Sequence, residues 1–244
     1  FIVSGASVKQ GGKEKNWEWS RGFLQGLSLF SEEESTILFA PAMIDGSWSV
    51  VCRNKSDTPP VGFAPGLSPD TLVARRCTTI RFSSHQELRM VEHLLAVLAF
   101  WRGPGVIAIV DGTALPILDG SAEGWYRVLS DLPNAVWGWK SYPVGSFCEE
   151  WRWENGFLRA ESAEAFSVDY QWEAEGITQS AHLSEASSQA QFEESDVIKH
   201  LWNARTFISE SELEQALEQG LFTPHPGDGV VWRAASGELE IVEG

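Results

Sequence analysis

Glu92 and His93 are adjacent, and this pairing is the first feature of the sequence that could do chemistry. A carboxylate beside an imidazole can act as base and metal ligand around one zinc-bound water. On a helix the same pair is more commonly two polar residues on the exposed face. A hydrolytic zinc needs three protein ligands and one open position, so His93 alone does not hold one. Asp196 and His200 would share a helical face, where they read as an exposed ion pair or, alternatively, as two ligands. His85 and His182 fall in polar loops and support nothing specific. The cysteines, Cys52, Cys77 and Cys148, form no CxxC pair, which excludes a thiolate zinc knuckle or a disulfide framework and favours a reducing compartment.

The elements around this pair follow from period and punctuation. Met90, Leu94, Val97 and Leu98 recur at helical spacing, predicting a buried helix over Arg89–Phe100 that ends before Gly103-Pro104-Gly105. Val106–Val110 reads as an apolar strand. A second helix starts near Ser121, whose side-chain oxygen can take a free first-turn amide, and continues through Trp125, Val128 and Leu129. Upstream, Thr36–Phe39 and Trp48–Cys52 read as paired strands, and the four prolines between Ser56 and Pro69 predict a loop. Downstream, Trp137 with Trp139 and Trp151 with Trp153 stand two apart, as on one face of strands opening a new sheet. The segment Glu149–Asp196 is acidic, with Ser180–Gln191 polar enough for a loop. Helices follow over Val197–Phe207 and Ser209–Gly220, the latter with a Ser209/Glu212 capping box, and then a strand over Asp228–Trp232.

Two segments make a more specific pattern: Val91-Glu92-His93-Leu94, and then Leu115-Pro116-Ile117-Leu118-Asp119-Gly120-Ser121-Ala122. With Gly26–Phe30, Phe39–Ala42, Ala204-Arg205-Thr206-Phe207 and Leu217–Leu221, the chain resembles the UDP-3-O-acyl-N-acetylglucosamine deacetylases, zinc amidases of lipid A synthesis, over roughly residues 20 to 235. The resemblance implies an α+β fold of two tandem related domains, each a mainly antiparallel sheet with helices, the helices packed between the two sheets. Residues 1–16, rich in glycine and lysine with little periodicity, read as an N-terminal arm, residues 17–134 as the first domain, and 135–244, where the texture repeats, as a second, incomplete at its C-terminus. The resemblance also implies Glu92 as general base, His93 as a zinc ligand and Thr206 as the hydroxyl that stabilises the oxyanion. The family's His-x-x-x-Asp ligand helix would follow the strand matched by Gly229–Trp232, and the sequence ends before it. Phe30 stands where the family often has a histidine, and His225 where it has a glycine-rich loop near the ligand.

Composition bounds the partners. Eighteen basic against thirty-four acidic residues give a net charge of −16, which disfavours nucleic acid and anionic membrane surfaces. The longest apolar run, Leu94–Trp101, falls well short of the roughly 20 residues of a membrane span. Twelve tryptophans among 244 residues read as sheet and core packing. The start at Phe1-Ile2-Val3 reads as a processed or partial end. The expectation is a cytoplasmic, deacetylase-like protein without catalysis or cofactor, acting as a structural or regulatory subunit with a protein partner at the open end of the second domain. The alternative is an active zinc deacetylase of a UDP-linked acyl-glucosamine, completed by a further C-terminal segment.

Overall fold

The computed structural model describes residues 17–20, 22–28, 34–44, 46–53, 61–63, 71–74, 77–83, 86–139, 145–174, 177–184, 201–218, 230–233 and 238–241. The expected arm over residues 1–16 lies outside them. Strands β1 (Trp17–Ser20), β2 (Phe23–Leu27), β3 (Glu34–Pro41), β4 (Trp48–Arg53), β5 (Val61–Phe63), β6 (Thr71–Ala74), β7 (Thr78–Ser83) and β8 (Gln86–Arg89) come first. Helix α1 (Glu92–Leu98), strand β9 (Val106–Asp111) and helix α2 (Glu123–Ser130) follow. The later part holds β10 (Cys148–Trp153), β11 (Gly156–Glu161), β12 (Ser167–Ala174), β13 (Ile177–Ser184), β14 (Phe207–Ser209), α3 (Glu210–Glu218), β15 (Val230–Arg233) and β16 (Glu238–Ile241).

The class is α+β with mainly antiparallel sheets, as expected. A six-stranded sheet runs β1-β2-β3-β9-β4-β5, and β6-β7-β8 form a smaller one. β10 pairs with β11 and β12 with β13 as hairpins, and β14-β15-β16 close the described fold. Among the described residues only β4 with β9 and β14 with β15 run parallel. In β9, Val106, Ala108 and Val110 are buried while Ile107 and Ile109 are only partly so, so an apolar run resolves into the usual two-residue alternation. β3 answers it with Ser35, Ile37 and Phe39 inward. Leu94, Val97 and Leu98 of α1 and Trp125, Val128 and Leu129 of α2 join them in one core. Each such fully buried side chain contributes about 1.5–3 kcal/mol.

Several expectations are corrected. Helix α1 begins at Glu92, not Arg89, because the Arg89 backbone is already engaged: its N–H donates to Thr113 O at 3.1 Å and its carbonyl accepts from Leu115 N at 2.9 Å. Met90 then turns through a left-handed conformation, φ 62°. The proline-rich segment contains the strand β5, which lies at the sheet edge, where missing donors on the flanks are tolerated. Trp137 and Trp139 do not open a new sheet. Trp137 makes an isolated antiparallel bridge with Trp101, and both rings are buried in the core. The helix expected to reach Phe207 instead gives way to the bridge at Arg205 and to β14, and its part before Leu201 lies outside the described residues. Strand β13 runs into the expected polar loop and takes Ser180–Ser184 from it, and β16 had no counterpart in the sequence reading.

The capping expectations hold. Ser209 Oγ accepts from Glu212 N at 3.3 Å, and Ser209 N donates to Glu212 Oε2 at 3.3 Å. Ser121 Oγ accepts from Glu123 N at 3.2 Å, so it does take up a first-turn amide of α2 although the helix cap proper is Ala122.

Gly105 marks the tightest backbone approach next to β9. A Cβ there would meet the carbonyl oxygen of Ile44, and that of Ala42 at 2.8 Å, neither of which is a flexible side-chain end. Gly105→Ala should therefore destabilise the fold by about 1–3 kcal/mol, read as a lower urea midpoint with an unchanged slope.

Candidate active site

The polar cluster starts at the junction of β7 and α1. Thr78 donates its backbone N–H to Glu92 Oε2 at 2.9 Å, and its carbonyl accepts from Val91 N at 3.2 Å, so one residue clamps both the carboxylate and the start of the helix. Burial pushes the Glu92 carboxyl above its ordinary range, with the bonds from its own N–H and that of Thr78 pulling back. Beside it, burial drives the His93 imidazole down to about 4, a shift only partly opposed by the negative charge of Asp119. His93 is therefore neutral near pH 7, with a lone pair on one ring nitrogen.

The second wall comes from far along the chain. Ser121 and Arg205 form an isolated antiparallel bridge, and Thr206 N donates to Gly120 O at 2.7 Å. This joint sets Thr206 Oγ1 3.0 Å from His93 Nε2, across 113 positions of sequence. Arg205 Nη2 donates to Asp119 Oδ2 at 3.2 Å. The other carboxylate oxygen of Asp119 accepts from Ser121 N at 3.1 Å and from Ser121 Oγ at 2.7 Å.

Of the residues singled out in the sequence, His93 and Thr206 are thus in contact, and Glu92 is fixed next to His93 on the same helical turn. His182 is on β13, where its Nδ1 faces Asp169 Oδ1 at 2.6 Å in an exposed hairpin. His85, Asp196, His200, His225 and Phe30 lie outside the described residues. Asp119, Ser121 and Arg205 were not read as site residues, although each stands inside a motif that was, within two positions of Gly120 or beside Thr206. Thr78 carried no sequence signal, because it contributes through its backbone.

Among the described residues no three His, Cys, Asp or Glu side chains are grouped as an ion would require. One imidazole is present, with a hydroxyl as its neighbour, so the described residues do not by themselves fit a zinc ion. No helix among them is long and apolar enough to cross a membrane.

Residues 21–231 match the family described as LpxC, UDP-3-O-acyl N-acetylglycosamine deacetylase. The UDP-3-O-acyl-N-acetylglucosamine deacetylase of Pasteurella multocida (strain Pm70) is 28% identical over 211 residues, covering 80% of this chain and 63% of that protein. The same-named protein of Haemophilus influenzae (strain PittEE) is 29% identical over 208 residues, with the same coverage. That of Vibrio atlanticus (strain LGP32) is 32% identical over 106 residues, 43% of this chain and 33% of that protein. The chain thus spans about 63% of the length of the first two relatives. With a match that runs through both segments forming the cluster, the chain belongs to the UDP-3-O-acyl N-acetylglycosamine deacetylase family.

Proposed function

We propose that this chain carries the base and the oxyanion-binding wall of a UDP-3-O-acyl-N-acetylglucosamine deacetylase. The observation that carries the reading is the 3.0 Å contact between His93 and Thr206, which brings two separately recognised motifs to one point beside Glu92. In this reading water adds to the N-acetyl carbonyl while Glu92 accepts its proton. A carboxyl raised by burial is better matched to that task near neutral pH than an exposed one. The Thr206 hydroxyl donates to the carbonyl oxygen as it gains charge, and the Thr206 N–H, spent on Gly120, holds the hydroxyl in place. Collapse of the tetrahedral adduct expels the amine, which takes up the proton, and releases acetate. His93 remains neutral throughout, as one imidazole available to an ion. The reading assigns residues 17–134 and 135–244 to two domains and a cytoplasmic location, which the free thiols of Cys52, Cys77 and Cys148 support.

A second reading is a deacetylase-like structural or regulatory subunit of a protein complex. One observation favours it: Trp151, Trp153 and Leu158, on one face of the β10–β11 hairpin, are all exposed, and contiguous apolar surface of this kind marks interfaces. Acetate release from UDP-3-O-acyl-N-acetylglucosamine by the purified full chain, with its zinc content measured alongside, separates the two. The deacetylase reading expects turnover that falls by about 10²–10⁴ in Glu92→Gln and about 10²–10³ in Thr206→Val. No acetate from a folded chain supplied with zinc would leave the subunit reading.

The buried imidazole also predicts an acid-side effect on stability. His93 titrates near 6.5 when unfolded and at about 4 in the fold, so between these values the unfolded chain binds the extra proton and stability falls as pH falls. The loss is at most about 1.4 kcal/mol per pH unit. Glu92, raised above 4.5, acts with the opposite sign, since the folded state holds its proton more tightly there. Urea unfolding between these pH limits should show a shallower acid-side decline for His93→Gln than for the unaltered chain. Equal slopes would contradict a neutral, buried His93.

A further inference from the structure

Asp119 is flanked by two left-handed backbone positions, Leu118 at φ 59° and Gly120 at φ 75°. The reversal folds the carboxylate back along its own chain, so that Oδ1 accepts both the N–H and the hydroxyl of Ser121. Oδ2 is left facing outward, where Arg205 meets it from 86 positions later. The same reversal presents the Gly120 carbonyl to Thr206 N. Leu118 accepts a conformation that costs an ordinary side chain about 1–2 kcal/mol, and its own side chain is buried, 4% exposed. The shape of this turn is therefore held by the core rather than by local preference.

Arg205 is held mainly from one side. Its side chain is 19% exposed, and its other terminal nitrogen, Nη1, is buried with no hydrogen-bond partner among the described residues. A partly buried guanidinium so placed depends, among the described residues, on the Asp119 carboxylate for compensation. Arg205 stands in the isolated bridge and Thr206 links it to β14, and along extended backbone successive side chains leave on opposite sides. Holding Arg205 at Asp119 thus fixes the direction in which the Thr206 hydroxyl leaves the chain, towards His93.

We infer that Asp119 and Arg205 form a positioning latch: their ion pair, across the Ser121–Arg205 bridge, aims the Thr206 hydroxyl at the catalytic cluster while neither residue touches the reacting atoms. The latch follows from the hydrogen-bond geometry, and its consequence for turnover rests on the deacetylase reading. Ser121 extends it into α2, since the hydroxyl that donates to Asp119 also accepts the Glu123 amide. The direction of Thr206 is in this way referred to a helix rather than to a loop.

The test uses the full chain with Arg205→Met, which keeps the aliphatic stem without the charge, Asp119→Asn, Arg205→Lys and Thr206→Val. Amide hydrogen exchange at Thr206, followed by NMR, should accelerate about tenfold or more in R205M and D119N while the amides of α1 keep their rates. With substrate, kcat should fall by about a hundredfold with KM within about twofold, since the hydroxyl acts on the developing oxyanion and not on the bound ground state. R205K should recover part of this loss, and adding R205M to T206V should cost nothing further. Should R205M fail to fold, D119N carries the same expectations. Thr206 exchange unchanged in the folded variants, or losses in R205M and T206V that simply multiply, would overturn the latch. Accelerated exchange in a chain that releases no acetate even unaltered would uphold the latch and remove the deacetylase reading instead.

Discussion

One hydrogen bond, from Thr206 N to Gly120 O, decides whether the two parts of the site meet. It closes a loop of more than eighty residues, and the entropy lost in doing so exceeds the roughly 1 kcal/mol that such a bond contributes net. The compensating energy comes from Trp202, four positions earlier. Its ring is 4% exposed and packs edge-on to Phe100 at 5.5 Å and stacked on Tyr126 at 5.6 Å. Apolar burial brings the segment to the core, and the polar joint then chooses its register. Without the tryptophan the bridge loses its main apolar anchor, and without the bridge the tryptophan would anchor a chain free to rotate past His93.

The other half of the site depends on the opposite economy. Helix α1 has only seven residues and no side-chain cap, so it is too short to be stable by itself. Its start is fixed from outside, by Met90 in a left-handed turn and by Thr78, which bonds both Val91 and Glu92. Its apolar side is fixed by Leu94, Val97 and Leu98 in the core. Glu92 and His93 therefore inherit their positions from the strands and the core, and their shifted proton affinities follow from the same burial that holds the helix. Stability and chemistry at this point have one cause.

How much of this could be read from residues alone depended on whether the information was local. The helices α2 (Glu123–Ser130) and α3 (Glu210–Glu218) were legible because their signals, a capping oxygen and a three-to-four residue apolar period, are contained within a dozen positions. Glu92, His93 and Thr206 were legible through resemblance, not through spacing, since nothing in a sequence places residues 113 apart in contact. What failed was non-local. Trp137 and Trp139 have the spacing of a strand but answer to Trp101 and Phe100, with ring centroids at 5.1 and 4.9 Å. Arg89 continues the helical pattern of the residues after it, yet tertiary pairing with the Thr113–Leu115 segment takes its backbone first. Thr78 participates through an amide that every residue but proline possesses, so no side-chain pattern announces it.

The order of strands in the large sheet carries a consequence for how the molecule is made. β9 lies between β3 and β4, pairing with both, although it is the last of the six in the chain. During synthesis β3 and β4 emerge with open inner edges, and nearly sixty further residues must leave the ribosome before Asp111 can meet Thr36 and Arg53. Until then these two apolar ribbons offer unpaired amides and carbonyls to any other extended chain. The nascent polypeptide is thus most adhesive in the interval between the emergence of Arg53 and that of Asp111, and the insertion of a single central strand ends that exposure.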